Sequence, residues 1–125
     1  GESMVQKILI VVDSKVSRTT LKSTLAKIDN FEIIEASNGQ DGAVKYWEHQ
    51  PEITFMDLTM HVMDGYEATK LIKEGDPEAL IIVGSADIQE QSVKSVMDLV
   101  VVCFVNKPFQ LDQVQNALNL ATNNQ

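Results

Sequence analysis

Five short apolar runs, each followed by a segment with helical spacing, constrain the fold of this chain more than any other feature. The runs span residues 8–12, 31–36, 53–56, 80–83 and 99–105, the second of them interrupted by Glu32 and Glu35. Short runs rich in Val and Ile are typical of strands covered on both faces of a parallel sheet. Their alternation with helices across short connections predicts an α/β fold, namely a three-layer, doubly wound, five-stranded parallel sheet.

Five helices are predicted after these runs, because apolar residues recur there at roughly helical spacing. Asn38, Asp64 and Asp87 each precede a helical segment and have an acidic residue three positions later, which is typical of a helix N-terminus. In four helices the apolar face is predicted to carry Val16, Leu21, Leu25 and Ile28; Ala43, Val44 and Trp47; Val93, Val96 and Met97; and Leu111, Val114, Leu118 and Ala121.

The length of 125 residues suits one domain with a core of its own. Residues 1–3 look like the remnant of a tag before a native start at Met4, so residues 4–125 are predicted to form a single domain. The one cysteine, Cys103, excludes an internal disulfide and suits a reducing, cytoplasmic location.

The charge balance argues against two classes of partner. The formal net charge is -8 and no cluster of Lys and Arg interrupts it, so direct binding of DNA or RNA is not expected. No apolar run approaches the roughly 20 residues that span a bilayer, so insertion into a membrane is not expected either.

Polar and charged residues follow the predicted strands at positions that share one edge of the sheet. They are Asp13, Asp57, Ser85 and Lys107, with Thr59 in the loop after Asp57. Open α/β sheets bind ligands at the carboxyl ends of their strands. Two neighbouring carboxylates invite a divalent cation such as Mg²⁺, while a lysine and a hydroxyl suit phosphoryl oxygens. This set of groups therefore fits phosphoryl transfer onto a carboxylate.

Three fragments at these strand ends carry a family resemblance. They are residues 8–14, Met56-Asp57-Leu58-Thr59-Met60 with Met63-Asp64-Gly65, and Asn106-Lys107-Pro108-Phe109. In this order they make nearly the whole chain similar to the receiver domain of two-component response regulators. The resemblance implies the CheY-like, flavodoxin-like (βα)5 fold with strand order 2-1-3-4-5.

The resemblance also implies a Mg²⁺-dependent site in which Asp57 accepts a phosphoryl group. Asp13 and Asp57 would bind the metal, together with the backbone carbonyl of Thr59. The phosphoryl donor would be a sensor histidine kinase or a phosphotransfer protein, and the group would be lost by hydrolysis. Such a domain is a signalling switch, and we do not expect an enzyme that acts on a separate substrate.

The remaining implied roles concern the phosphoryl oxygens and the switch. Ser85 and Lys107 would contact the phosphoryl group, with Lys107 preceding a cis proline, Pro108. Phe104 would be the aromatic switch whose rotamer follows Ser85. The face formed by the last two predicted helices and the fifth strand would bind a downstream protein. Because a long apolar edge strand favours association, a homodimer through this face is a second hypothesis.

Four positions depart from the family pattern. Val12 stands where a second acid is usual, which predicts a weaker metal site, since losing an outer-shell partner costs about 10- to 100-fold in affinity. His61 replaces a common proline, and although a loop histidine is usually just solvated, this one could titrate near neutral pH. Val100 and Val101 replace a Gly-Ala pair, so the turn must differ or the strand must begin earlier.

Two other functions therefore stay open. Because Val12 stands where an acid is usual, one of them is a pseudo-receiver, a protein-interaction module whose contacts do not depend on phosphorylation. An unrelated α/β enzyme or a flavin carrier is the third class. The missing Gly-rich phosphate loops and the absence of a second nucleophile–base pair count against that class.

Overall fold

The computed structural model describes residues 6–58, 65–85 and 101–123. In these ranges the strands are β1 (Lys7–Val11), β2 (Glu32–Ala36), β3 (Ile53–Asp57), β4 (Ile81–Ser85) and β5 (Cys103–Asn106). The helices are α1 (Lys15–Ala26), α2 (Gly39–His49), α3 (Gly65–Gly75) and α4 (Leu111–Asn123). The helix predicted after Asp87 and the helix start predicted at Asp64 lie outside the described residues.

All five strands run parallel in the order β2-β1-β3-β4-β5, which confirms the predicted architecture. β1 pairs with β2 and β3, and Ile10 lies between Glu35 and Phe55. β4 pairs with β3 and β5, and Val83 lies between Met56 and Phe104. Because the strands are parallel, their carboxyl ends lie along one edge of the sheet.

The side chains of the sheet alternate between two apolar layers. One layer combines strand residues with residues of α2 and α3: Leu9, Val11, Met56, Val83, Ala43, Tyr46, Ala68 and Ile72. The other combines strand residues with residues of α1 and α4: Ile8, Ile10, Phe55, Ile82, Leu21, Leu25, Val114, Leu118 and Ala121. Helices therefore cover both faces, as the continuous apolar runs predicted.

In the described helices, several apolar residues predicted for the helix faces are buried, but some of those predicted at the edges of the faces are exposed. Leu21 and Leu25 are buried as predicted, whereas Val16 is 76% exposed. Val16 precedes Leu21 by five residues, which turns it about 140° away from that face of the helix. Val44 on α2 is also half-exposed, and α1 ends at Ala26, before Ile28. Asn38 caps α2 as predicted, since its Oδ1 accepts the N–H of Asp41 at 2.8 Å.

The start predicted for the fifth strand is wrong in its described part. β5 begins at Cys103, and Val101 and Val102 lie before it. The ladder with β4 starts at Ile82 opposite Cys103, preceded by one bond from the Val102 N–H to the Ile81 carbonyl. Val101 and Val102 are apolar because they pack against the two core layers.

The described helices are 11 to 13 residues long. Across residues 6–58, 65–85 and 101–123, none of them has the length and apolar character needed to cross a membrane.

Candidate functional site

Asp57 is the last residue of β3, and its side chain is completely buried. β3 lies between β1 and β4, so its carboxyl end is near the centre of the sheet edge. Phe55 and Met56, just before it, enter the opposite core layers and fix the strand. Burying a carboxylate costs free energy unless charge and hydrogen bonds compensate it. A nearby cation is therefore needed to compensate the buried charge of Asp57.

Lys107 supplies that cation. Its Nζ lies 2.9 Å from Oδ2 of Asp57, and its side chain is only 16% exposed. Lys107 directly follows β5, which is separated from β3 by β4, so the lysine side chain reaches across the end of β4. A short, mostly buried charge-assisted hydrogen bond fixes the geometry of both groups.

The turn after β5 is held by the neighbouring strand. The N–H of Lys107 donates to the carbonyl of Ser85 at 3.0 Å, and the Lys107–Pro108 peptide is cis, as the resemblance implied. Phe109 is buried and meets Phe55 edge to face, with ring centroids 6.4 Å apart. These contacts fix the position of the Lys107 backbone, from which the side chain extends toward Asp57.

Ser85 is the last residue of β4 and is completely buried. It pairs in register with Asn106, and the preceding Gly84 pairs with Asp57. The structure thus brings Ser85, Asp57 and Lys107 together at the ends of three adjacent strands, as the sequence predicted.

Asp13 follows β1, next to the strand that ends in Asp57, and it is exposed. Val12 before it is completely buried in the layer under α1 and α4. The Val12 N–H donates to the carbonyl of Ala36 at 3.1 Å, which continues the β1–β2 ladder by one bond. Val12 is therefore a core residue, and of the two positions after β1 where the family usually has acids, only Asp13 carries a carboxylate.

The donor set at this edge fits Mg²⁺. Asp57 and Asp13 supply carboxylates from adjacent strands, and Mg²⁺ in proteins typically takes one or two carboxylates while keeping several waters. Among the described residues there is no cluster of three or more His, Cys, Asp or Glu side chains that could hold a metal ion. Thr59, whose carbonyl is the third predicted ligand, lies outside the described residues, as does His61.

Phe104 lies on β5 and is partly buried against the core layer under α2 and α3. Its neighbours in the strand, Cys103 and Val105, belong to the opposite layer. Phe104 is thus two residues before Asn106, the partner of Ser85, on the edge strand. This placement agrees with the predicted switch position, while the switching role itself stays a prediction.

Two residues that position the site, Gly65 and Arg18, were not identified from the sequence. Gly65 begins α3, and a Cβ there would clash with the carbonyl oxygen of Asp57 and come within 2.9 Å of Leu58. The pattern placed Gly65 at a helix start but could not show this close approach. Arg18 donates to the carbonyls of Val12 and Asp13. An arginine in the first turns of a helix looks like a solvated residue in the sequence.

Comparison with known proteins agrees with this geometry. Residues 8–119 match the family model of the response regulator receiver domain. The chain is 41% identical to the chemotaxis protein CheY of Bacillus subtilis over 121 residues, covering 96% of this chain and all of that protein. It is 40% identical to CheY of Thermotoga maritima, covering 93% of this chain and 97% of that protein.

Solved structures show the same fold. A chain of the CheX–CheY–BeF3–Mg²⁺ complex from Borrelia burgdorferi is 31% identical with a TM-score of 0.83, over 90% of this chain and 86% of that chain. The response regulator TrrA from Thermotoga maritima, solved with Mg²⁺ and BeF, is 25% identical with a TM-score of 0.83, over 93% and 98% of the two chains. The chain therefore belongs to the CheY-like receiver domains of the two-component response regulators.

Proposed function

We propose that this receiver domain accepts a phosphoryl group on Asp57 in a Mg²⁺-dependent reaction. The observation that carries this proposal is the fully buried Asp57 carboxylate with the Lys107 Nζ at 2.9 Å. Sheet interiors rarely contain a carboxylate, and here a lysine from another strand end is committed to it. Buried, paired charges at the ligand-binding edge of an α/β sheet are typical of functional groups.

The residues define a simple reaction. An oxygen of Asp57 would attack the phosphorus of a phosphohistidine, forming an O–P bond while the N–P bond breaks and its electron pair returns to the imidazole. Lys107 would offset negative charge on the phosphoryl oxygens, and the hydroxyl of Ser85 would donate a hydrogen bond to one of them. Bound to Asp13 and Asp57, Mg²⁺ would neutralise further charge in the same place. Fixed positions and charge neutralisation supply most of the catalysis in such transfers.

The proposed phosphoryl donor is a sensor histidine kinase or a phosphotransfer protein, and the chain is proposed to act as a cytoplasmic switch that turns over only its own phosphoryl group. The similarity to a CheY-containing complex solved with CheX, BeF3 and Mg²⁺ supports a protein partner that meets the modified state. DNA, RNA and membranes are not part of this proposal.

The downstream partner is proposed to bind the face that includes β5 and α4. Phe104 and Cys103 are only partly buried there, and Leu120 on α4 is 44% exposed. These three residues line a cavity of about 150 Å³ between the strand and the helix. A second copy of the chain is the alternative occupant, which sedimentation with and without phosphoryl analogue would reveal.

Binding of beryllofluoride, a mimic of the aspartyl phosphate, tests the proposed function directly. In the presence of Mg²⁺ we expect saturable amide NMR shifts around Asp57, Ser85 and Phe104. Asp57→Asn is the control, since it keeps the shape of the side chain but removes the attacking carboxylate, and it should show none of these shifts. A folded wild-type protein that gives no shifts at millimolar Mg²⁺ would contradict the proposal.

That negative result would favour the pseudo-receiver as the second candidate function. The observation behind it is Val12, which is completely buried and belongs to the core. The edge consequently has one fewer acid than the family usually provides.

A further inference from the structure

Arg18 on α1 joins three parts of the chain near the proposed metal site. Its Nη1 donates to the carbonyl of Val12 at 2.8 Å and to the carbonyl of Asp13 at 3.1 Å. Its Nε donates to Oε1 of Glu35 on β2 at 3.3 Å. The Arg18 side chain is only 18% exposed, so these bonds lie in a partly protected environment.

The two carbonyls belong to the short segment that joins β1 to α1. β1 ends at Val11 and α1 begins at Lys15, so Asp13 lies in the short connection between them. The buried side chain of Val12 fixes one side of this connection. The guanidinium of Arg18 fixes the other side, because one planar group contacts both carbonyls and the β2 carboxylate.

Glu35 orients the Arg18 guanidinium and offsets its charge. Its Oε1 accepts from Arg18 at 3.3 Å and its Oε2 accepts from Lys22 at 2.9 Å. The carboxylate therefore offsets much of the positive charge that Arg18 brings close to a cation site. Lys22 lies on the same helix as Arg18, carries the same charge and binds the same carboxylate. Its Nζ donates to Glu35 and not to the carbonyls of Val12 and Asp13.

We propose, on the basis of the receiver function proposed above, that Arg18 is a positioning residue that holds Asp13 ready to bind the divalent cation. A carboxylate on a fixed backbone loses less conformational freedom when it binds a metal. With Val12 in place of a second acid, Asp13 alone supplies the metal-binding carboxylate after β1, so its placement has a larger effect on affinity.

The sign of the effect separates this role from simple electrostatics. A nearby positive charge repels a divalent cation, so if charge dominated, removing Arg18 would strengthen Mg²⁺ binding. If Arg18 acts by position, removing it weakens Mg²⁺ binding. If it serves only stability, the unfolding midpoint falls while the affinity for Mg²⁺ stays the same.

The experiment is a Mg²⁺ titration of three variants, followed by amide NMR, together with urea unfolding in the absence of Mg²⁺. For Arg18→Met we expect the dissociation constant to rise about tenfold, in the range typical for loss of an outer-shell partner. Arg18→Lys should show a similar rise, because a lysine keeps the charge but cannot reproduce the planar set of contacts. Lys22→Met is the matched control and should stay within about twofold of the wild-type protein.

Wild-type affinity, or tighter binding, in both Arg18 variants would overturn the inference. Urea unfolding shows whether each variant is folded, and Arg18→Lys carries the test if Arg18→Met does not fold. A wild-type protein that binds no Mg²⁺ would instead remove the proposed function on which the inference is built. The two failures are thus distinguished by the wild-type titration alone.

Discussion

At the scale of single residues, Asp57 meets two opposing requirements. A group that accepts a phosphoryl group must stay ionised, whereas complete burial at the end of a central strand disfavours the charge. Lys107 at 2.9 Å reconciles the two, because its charge lies within the same partly protected space. Under the proposed function the pair would serve both stability and chemistry, and the two contributions can be separated by mutation.

Lys107→Met is expected to lower the free energy of unfolding at neutral pH by about 3 kcal/mol, because it removes the cation that lies 2.9 Å from the buried Asp57 carboxylate. Adding Asp57→Asn to this variant should restore most of the loss, since the buried negative charge is then gone. Urea unfolding of the wild type, both single variants and the double variant measures the coupling. Additive effects of the two substitutions would show that the ion pair contributes little to stability.

Gly65 provides a second prediction at this scale. Gly65→Ala should cost about 1–3 kcal/mol, because the new Cβ would meet the backbone of Asp57, which cannot move without shifting β3. Gly75→Ala is the control, because its Cβ would meet the ring of Trp47, which is 43% exposed and can turn aside. Urea midpoints compare the two, and an equal cost at both positions would contradict the special role of Gly65.

The residues of the site were predictable to different degrees. Asp57, Ser85 and Lys107 could be placed together because parallel strands end at one edge, and each of them follows an apolar run. Arg18 could not, because nothing in the pattern of α1 distinguishes an arginine that turns back to backbone carbonyls from one that points into solvent. Contacts between a side chain and the backbone of a connecting segment have no sequence period.

At the scale of elements, the attachment of α1 to β2 depends on Glu35. Its contacts with Arg18 and Lys22 join the helix to the edge strand of the sheet. The hydrogen bond from Lys22, more than any other contact, holds the pKa of Glu35 below its ordinary value. A lowered pKa in the folded state means that the ionised carboxylate stabilises the fold.

This attachment should consequently weaken in acid. The contribution of Glu35 is complete above the pKa of the unfolded state and disappears as the pH falls through the lower, folded-state pKa. Glu35→Gln should therefore be less stable than the wild type at pH 6, and the difference should shrink as the pH falls below the ordinary pKa of a glutamate. Because the side chain is 40% exposed, the difference should stay below about 1 kcal/mol. Urea unfolding at several pH values measures it, and a difference that does not change with pH would contradict the ionic origin.

The elements show where sequence patterns stop being informative. The five runs predicted the number of strands and their parallel arrangement, because burial on both faces of a sheet demands continuous apolar residues. The strand order followed from the family resemblance. The pattern placed the start of β5 too early, since Val101 and Val102 pack against the core ahead of the strand. Val16 on α1 likewise shows that an apolar residue in a first turn can lie outside the buried face.

At the scale of the whole molecule, ligand binding and folding are linked. The proposed ligands would contact residues at the carboxyl ends of β1, β3, β4 and β5, so they could be held only when the sheet is assembled. A ligand that binds only the folded state stabilises it, by about 2.7 kcal/mol at a concentration one hundred times its dissociation constant. Binding at the sheet edge should therefore be visible in global unfolding, without any probe near the site.

Saturating Mg²⁺ with beryllofluoride is expected to raise the unfolding midpoint temperature by roughly 10 °C, as this stabilisation implies for a domain of this size. Asp57→Asn should show no such rise. Sodium chloride at matched ionic strength is the second control, because a net charge of -8 means that screening alone relieves some repulsion. Scanning calorimetry on the two proteins under the three conditions measures the shifts. An equal rise in Asp57→Asn and the wild type would place the stabilisation in general screening and leave the carboxyl edge of the sheet without a demonstrated ligand.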